Sequence, residues 1–283
     1  MNQLQHGADI MINLDFDEKE VYIIVTDFIK TYINNSGCKK VVIGLSGGID
    51  SALAAVLCSK ALGKQNVLCL FLQEETTPKD DIKHVNDLSK KFNLNVKKID
   101  ITPLIKEAQK YCIIKPDKMA LANIKARIRM ALLFEYANMT SSLVCGTSNK
   151  SEFLIGYFTK YGDGGTDIQP IGDLYKTQIY QLSRFLKLPK DMIEKSPSAG
   201  LWHGQSDEQE LGMKYETLDK ILYALEYKLD FKKVAKEIGV KVSDIERIRQ
   251  MRVKSQHKRR LPLIPKVGYR TPGLDWRDPI QEG

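Results

Sequence analysis

Four short apolar runs, at residues 40–45, 67–72, 94–101 and 143–146, constrain this chain more than any other feature. Runs of this length, bounded by turn residues, read as buried strands. Helical periodicity fills much of the space between them. Residues 15–35 carry Phe16, Val21, Ile24, Phe28, Ile29 and Tyr32 at helical spacing; residues 51–62 are rich in Ala and Leu and stop at Gly63; residues 117–138 form a longer helical pattern. Strands alternating with helices predict βαβ units, and hence an α/β fold with a doubly wound parallel sheet flanked by helices. Beyond the fourth run the texture changes. Residues 156–173 hold five glycines and Pro170 and read as a long loop. Residues 176–187 read as helix and 189–207 as irregular. Three helical patterns follow at 215–228, 230–238 and 243–256, with Ser243 and Glu246 as a capping box for the last. The expected layout is an N-terminal extension over 1–14, one domain over 15–270, and a Pro-containing tail over 271–283. Within that domain the sheet core runs to about 188 and a helical, basic segment spans 208–270.

The turn after the first run carries the chemistry. Gly44-Leu45-Ser46-Gly47-Gly48-Ile49-Asp50-Ser51 lies between a strand and a helix. Ligands of parallel sheets bind beyond the carboxyl ends of strands, where this turn falls. Ser46, Gly47 and Gly48 leave backbone N–H groups open, and the helix N-terminus adds partial positive charge, which together form a phosphate cradle. Asp50 would repel a phosphate unless a cation intervened, so it reads as a Mg²⁺ ligand. The pattern lacks the lysine of GxxxxGK[ST] and the spacing of GxGxxG. The bland alternative is a Gly-rich turn capped by Ser46 and Asp50.

Charge narrows the partners. The formal net charge is +8, from 43 basic and 35 acidic residues. Residues 241–270 contain ten Lys or Arg against Asp244 and Glu246, so the whole surplus is local. A surplus of this kind suits an anionic ligand. Cys38, Cys58, Cys69, Cys112 and Cys145 are odd in number and scattered, which argues against a disulfide scaffold or a zinc site and fits a reducing compartment. No apolar run approaches the roughly 18 residues of a membrane span, and the N-terminus has no signal-peptide pattern. The expectation is a cytoplasmic protein that binds neither membrane nor nucleic acid.

SGGIDS resembles the pyrophosphate loop of the N-type ATP pyrophosphatases, whose fold is Rossmann-like, of the adenine nucleotide alpha-hydrolase type. Four further blocks select a branch: Lys125-Ala126-Arg127-Ile128-Arg129-Met130, Gly146-Thr147, the run from Thr159 to Asp167, and His257-Lys258-Arg259-Arg260. In this order they resemble the ammonia-dependent NAD synthetases over about residues 15–265. The resemblance implies an amide-forming ligase that turns ATP, deamido-NAD and ammonia into NAD, AMP and pyrophosphate through an adenylated intermediate. It implies ATP contacts by Gly44 through Ser51 and by Thr147, Lys176 and Ser198. Deamido-NAD would be met by Arg127, Lys160, Asp167, His257 and Lys258. Mg²⁺ would be held by Asp50 and Glu152, with Asp50 and Lys176 as the catalytic residues. A homodimer is implied as well. Relatives that use glutamine carry a glutaminase domain, for which the matched residues leave no room, so free or partner-supplied ammonia is the expected nitrogen source.

On residue type alone the alternatives stay open. Thr147 would also serve as a strand-end cap, Glu152 as a loop acid, Arg127 and Arg129 as helix-face cations, and His257-Lys258 as a solvated pair. Beside a non-catalytic nucleotide sensor, which would need the loop but not Lys160, Asp167 or the His257-Lys258 pair, two rival functions remain. One is a tRNA-modifying ATP pyrophosphatase. The other is a helix-turn-helix DNA-binding protein, suggested by residues 234–240 followed by a helix with Arg247, Arg249 and Arg252.

Overall fold

The computed structural model describes residues 12–198, 200, 202 and 204–272. The chain opens with α1 (Glu18–Asn35), β1 (Lys40–Leu45), α2 (Ile49–Leu62), β2 (Val67–Gln73), α3 (Lys79–Phe92) and β3 (Asn95–Asp100). It continues through α4 (Thr102–Lys110), α5 (Lys118–Thr140), β4 (Ser142–Cys145), α6 (Lys150–Ile155), α7 (Lys176–Phe185) and α8 (Lys190–Glu194). The remaining helices are α9 (Asp207–Leu211), α10 (Tyr215–Glu226), α11 (Phe231–Ile238) and α12 (Val242–Lys254). The 1–14 extension and the 271–283 tail fall mostly outside the described residues.

All four strands run parallel in the order β3-β2-β1-β4. Successive side chains of a strand point to opposite faces, and here both faces are buried. Val41, Ile43, Val67, Cys69 and Phe71 pack with α1, α2 and α7. Val42, Leu70, Leu72 and Val144 pack with α4 and α5 on the other face. The expected doubly wound sheet is thereby realised. β3 is the exception to continuous burial, since it lies at the sheet edge and exposes Lys97 and Lys98, charges that discourage pairing with another chain.

Helix α2 is apolar all round, and every residue from Ala52 to Cys58 is buried between the sheet and α1. Helix α1 is narrower in its burial: Val25, Ile29 and Ile33, spaced by four, face inward from an N-cap at Asp17. A second core lies in the C-terminal half, where Tyr215, Leu218, Ile221, Leu222, Val234, Ile245 and Ile248 join α10, α11 and α12 to α6.

The structure departs from the sequence expectation in several elements. Helices α3, α4 and α6 stand where no helix was read. The tract 189–207, expected to be irregular, contains α8 and the first residue of α9. The Ser243–Glu246 capping box does not form. The helix starts at Val242, and it is the Asp244 carboxylate that accepts the Lys241 N–H at 3.1 Å, which leaves Ser243 inside the first turn.

Candidate active site

Strand order reverses between β1 and β4, and both strands run out into tight loops at that point. Such a switch point opens a crevice at the carboxyl edge of a parallel sheet. A cavity of about 480 Å³ lies there. That falls within the roughly 300–1,000 Å³ usual for small-molecule sites.

The loop after β1 is built by its own hydroxyls. Ser51 Oγ accepts the Ser46 N–H at 3.2 Å and donates to the Gly48 carbonyl at 3.0 Å, and Ser46 Oγ accepts the Gly48 N–H at 3.2 Å. Gly47 has φ +85°, and a Cβ there would stand 2.6 Å from Cβ of Asp81 on α3. The position therefore requires glycine for both conformation and space. Behind it, His84 Nδ1 lies 3.3 Å from the Gly47 carbonyl, and Lys195 pairs with Asp81.

Asp50, Glu152 and Lys176 meet at the mouth of this loop. Lys176 Nζ is 2.5 Å from Asp50 Oδ2 and 3.5 Å from Glu152 Oε1. Its side chain is only 3% exposed, against 18% for Asp50. Burial opposes the lysine's charge, but Asp50 and Glu152 outweigh it and hold the ammonium above its usual range. Burial raises Glu152 to about 8, and Asp50 adds to the rise, against the pull of Lys176. Two acids converging on one cation form a hard-oxygen pocket of the type that Mg²⁺ uses when phosphates supply further ligands.

Sequence reasoning missed Asn149, which organises this cluster. Its Oδ1 accepts the Glu152 N–H at 3.0 Å, and the Glu152 carboxylate accepts the Asn149 N–H at 3.3 Å. This capping box starts α6 and fixes Glu152. The Asn149 amide also donates to Asp50 Oδ1 at 2.9 Å, tying the β4 loop to the β1 loop. The N-x-x-E spacing of Asn149 and Glu152 was the available signal.

The expected ATP residues converge. Gly44, Leu45, Ser46, Gly48, Ile49, Asp50, Ser51, Thr147, Lys176 and Ser198 line the cavity, with Glu152 beside them. Gly47 supports the loop from behind. The expected dinucleotide residues are placed differently. Lys258 lines the cavity and donates to the carbonyls of Gly156 and Phe158 at 2.7 Å each. The exposed Arg127 donates to the Lys160 carbonyl at 3.4 Å, and Lys160 Nζ donates to the His257 carbonyl at 2.8 Å. Arg127, Lys160 and His257 thus form a surface band outside the cavity. Asp167 accepts the Val144 N–H at 2.7 Å and straps the Gly-rich loop to β4, next to a parallel bridge between Cys145 and Ile168. Arg129 is no bland helix-face cation. It lines the cavity, donates to the Leu72 carbonyl at 3.2 Å and lies 3.4 Å from Glu74.

A family model described as NAD synthase matches residues 21–262. A protein named NH(3)-dependent NAD(+) synthetase from Methanococcoides burtonii is 45% identical, covering 85% of this chain and 92% of its own length. A protein of the same name from Methanocaldococcus jannaschii is 44% identical, covering 88% and 97%. Among solved structures, NMN synthetase from Francisella tularensis matches with a TM-score of 0.77 and 33% identity, covering 89% of this chain and 99% of that one. An NH3-dependent NAD synthetase from Campylobacter jejuni matches with a TM-score of 0.76 and 34% identity, covering 89% and 100%.

Proposed function

Because this chain belongs to the NAD synthase family and is a ligase of NAD biosynthesis, we propose that it amidates deamido-NAD with ammonia at the expense of ATP. NAD, AMP and pyrophosphate are the products. The observation that carries the reading is the convergence of Asp50, Glu152 and Lys176 at the mouth of a Ser-Gly-Gly cradle.

A carboxylate resists attack by ammonia because its oxygen leaves poorly. A nicotinate carboxylate oxygen attacks the α-phosphorus of ATP and releases pyrophosphate, which turns that oxygen into part of a good leaving group. Ammonia then attacks the acyl carbon, the oxygen departs with AMP, and the amide forms after loss of a proton. The Ser46–Gly48 loop and the N-terminus of α2 would hold the β- and γ-phosphates, with the Ser46 and Gly48 N–H groups exchanging their bonds to Ser51 Oγ and Ser46 Oγ for phosphate oxygens. Mg²⁺, held by Asp50 and Glu152, would neutralise charge on the departing pyrophosphate. Lys176 would add its fixed positive charge to the same oxygens, and Thr147 and Ser198 would contact ATP from the cavity wall. No nucleophilic side chain is needed, since positioning and charge stabilisation suffice for both half-reactions. Arg127, Lys160 and His257, on the outer side of the Gly-rich loop, would take the dinucleotide together with Lys258 in the cavity wall and Asp167, whose bond to β4 holds that loop in place. A homodimer is the expected assembly, with the exposed Ile23, Ile24 and Phe28 of α1 as apolar surface that it would cover. Five unpaired cysteines favour a reducing, cytoplasmic setting, and among the described residues no helix is long and apolar enough to cross a membrane.

The test is an NAD-formation assay with ATP and Mg²⁺, using ammonium or glutamine as donor and deamido-NAD or nicotinate mononucleotide as acceptor. The expected result is turnover with ammonium and the dinucleotide. The likeness to an NMN synthetase makes the mononucleotide the competing acceptor, and preference for it would replace this reading. Inactivity with both acceptors, alongside tRNA-stimulated exchange of pyrophosphate into ATP, would favour a tRNA-modifying enzyme instead.

A further inference from the structure

Asp219 lies outside the cavity, fully buried on α10, and it bonds to the backbone that carries the active-site lysine. Its Oδ2 accepts the Thr177 N–H at 2.8 Å, and its Oδ1 accepts the Ser151 hydroxyl at 2.5 Å. Ser151 Oγ in turn accepts the Lys176 N–H at 2.9 Å. The first two N–H groups of α7 therefore both end on Asp219, one directly and one through Ser151. These N–H groups have no partner within their own helix.

The arrangement answers a difficulty at Lys176. A lysine at the first position of a helix faces the positive end of the dipole, and this one is also buried. Asp50 and Glu152 neutralise its ammonium on the cavity side. Asp219 places a third carboxylate behind it, at the helix end, without contacting the ammonium. Ser151 is also the residue before Glu152, so the same hydrogen bonds fix the start of α6. One side chain of the second core thus controls where a lysine and an acid of the site stand relative to each other.

We infer that Asp219 is a positioning residue for ATP binding, acting through Ser151 and the backbone of Lys176 to set the Lys176–Glu152 geometry. The inference rests on the reading of the cavity as a Mg·ATP site. Replacing Asp219 by Asn keeps its size but removes the charge and turns one acceptor into a donor. The new NH2 would face either the Thr177 N–H or the Ser151 hydroxyl.

Calorimetric titration of the full chain with Mg·ATP tests this as a double-mutant cycle. Asp219→Asn should weaken Mg·ATP binding by about tenfold in the wild-type background and by less than about twofold once Lys176 is replaced by Met. A residue that merely supports the fold would give equal factors in the two backgrounds, and that result, or no loss in either, overturns the inference. Ser151→Ala should show the same dependence on Lys176, and it serves as the deciding variant where Asp219→Asn fails to fold. Failure of the wild-type chain to bind Mg·ATP would instead overturn the ATP-site reading itself.

Discussion

A buried lysine at the start of a helix is unfavourable twice, through lost hydration and through the helix dipole. Lys176 is tolerated because Asp50 and Glu152 face it and because Asp219 occupies the helix end. Local rules broken in this way cluster at functional sites. Removing Asp50 should therefore harm function far more than fold. Asp50→Ala is expected to lower NAD formation at least about a hundredfold while leaving the far-ultraviolet circular dichroism unchanged. Near-normal rates at limiting Mg²⁺ would show that Asp50 holds no metal. At this scale the sequence was a partial guide. The SGGIDS pattern marked the loop that lines the cavity, and the misplaced charge of Lys176 was visible as a cation in a first helical turn. Its pairing with Asp50 was not visible, because the two residues are 126 positions apart and only the folded sheet brings them together.

The elements around the site differ in how firmly they are held. Helix α2, which presents Asp50 and Ser51, is buried along nearly its whole length. Leu57, 0% exposed, packs there with the core that includes α1 and α7. Leu57→Ala is expected to lower unfolding free energy by about 2–5 kcal/mol, read as a shift of the urea midpoint. A change below about 1 kcal/mol would mean that the core closes around the lost methyl groups. Strands β1 and β2 and helix α2 were legible because continuous apolar runs have one physical meaning, which is burial on all sides. Helix α3 was not, because its inward stripe carries Asp81 and His84 among Val85 and Leu88. Those polar residues face Gly47 and Lys195, so the contacts of the helix with the loop after β1 interrupt the periodicity that would have revealed it.

Over the whole molecule, the surplus of positive charge has two fates. Lys258 and Arg259 turn inward and bond backbone carbonyls of Gly156, Phe158, Phe153 and Arg252. Arg249 pairs with Glu246 on the surface of α12. Helices α11 and α12, which resemble a helix-turn-helix in sequence, have their apolar faces committed to the second core, and α12 also packs on α6. The basic segment is thus joined to the site by contacts and not only by its field. Lys258→Glu should raise the KM for deamido-NAD by at least about tenfold, whereas Lys241→Glu, exposed at the start of α12, should change it less than about twofold. Equal effects would mean that the segment acts only as diffuse charge.

The cluster of Asp50, Asn149, Lys176 and Asp219 also bears on when the protein becomes competent during folding. Its bonds close loops of 99 and 126 residues, and Asp219 belongs to a helix well beyond the last strand. Contacts that distant form only after the sheet and α10 are in place, since each closure costs chain entropy before burial returns anything. Nucleotide cannot then template the fold; it can only retain it. Saturating Mg·ATP is expected to slow unfolding in denaturant while leaving the refolding rate within about a factor of two. Accelerated refolding would show instead that the site is assembled before the rate-limiting barrier.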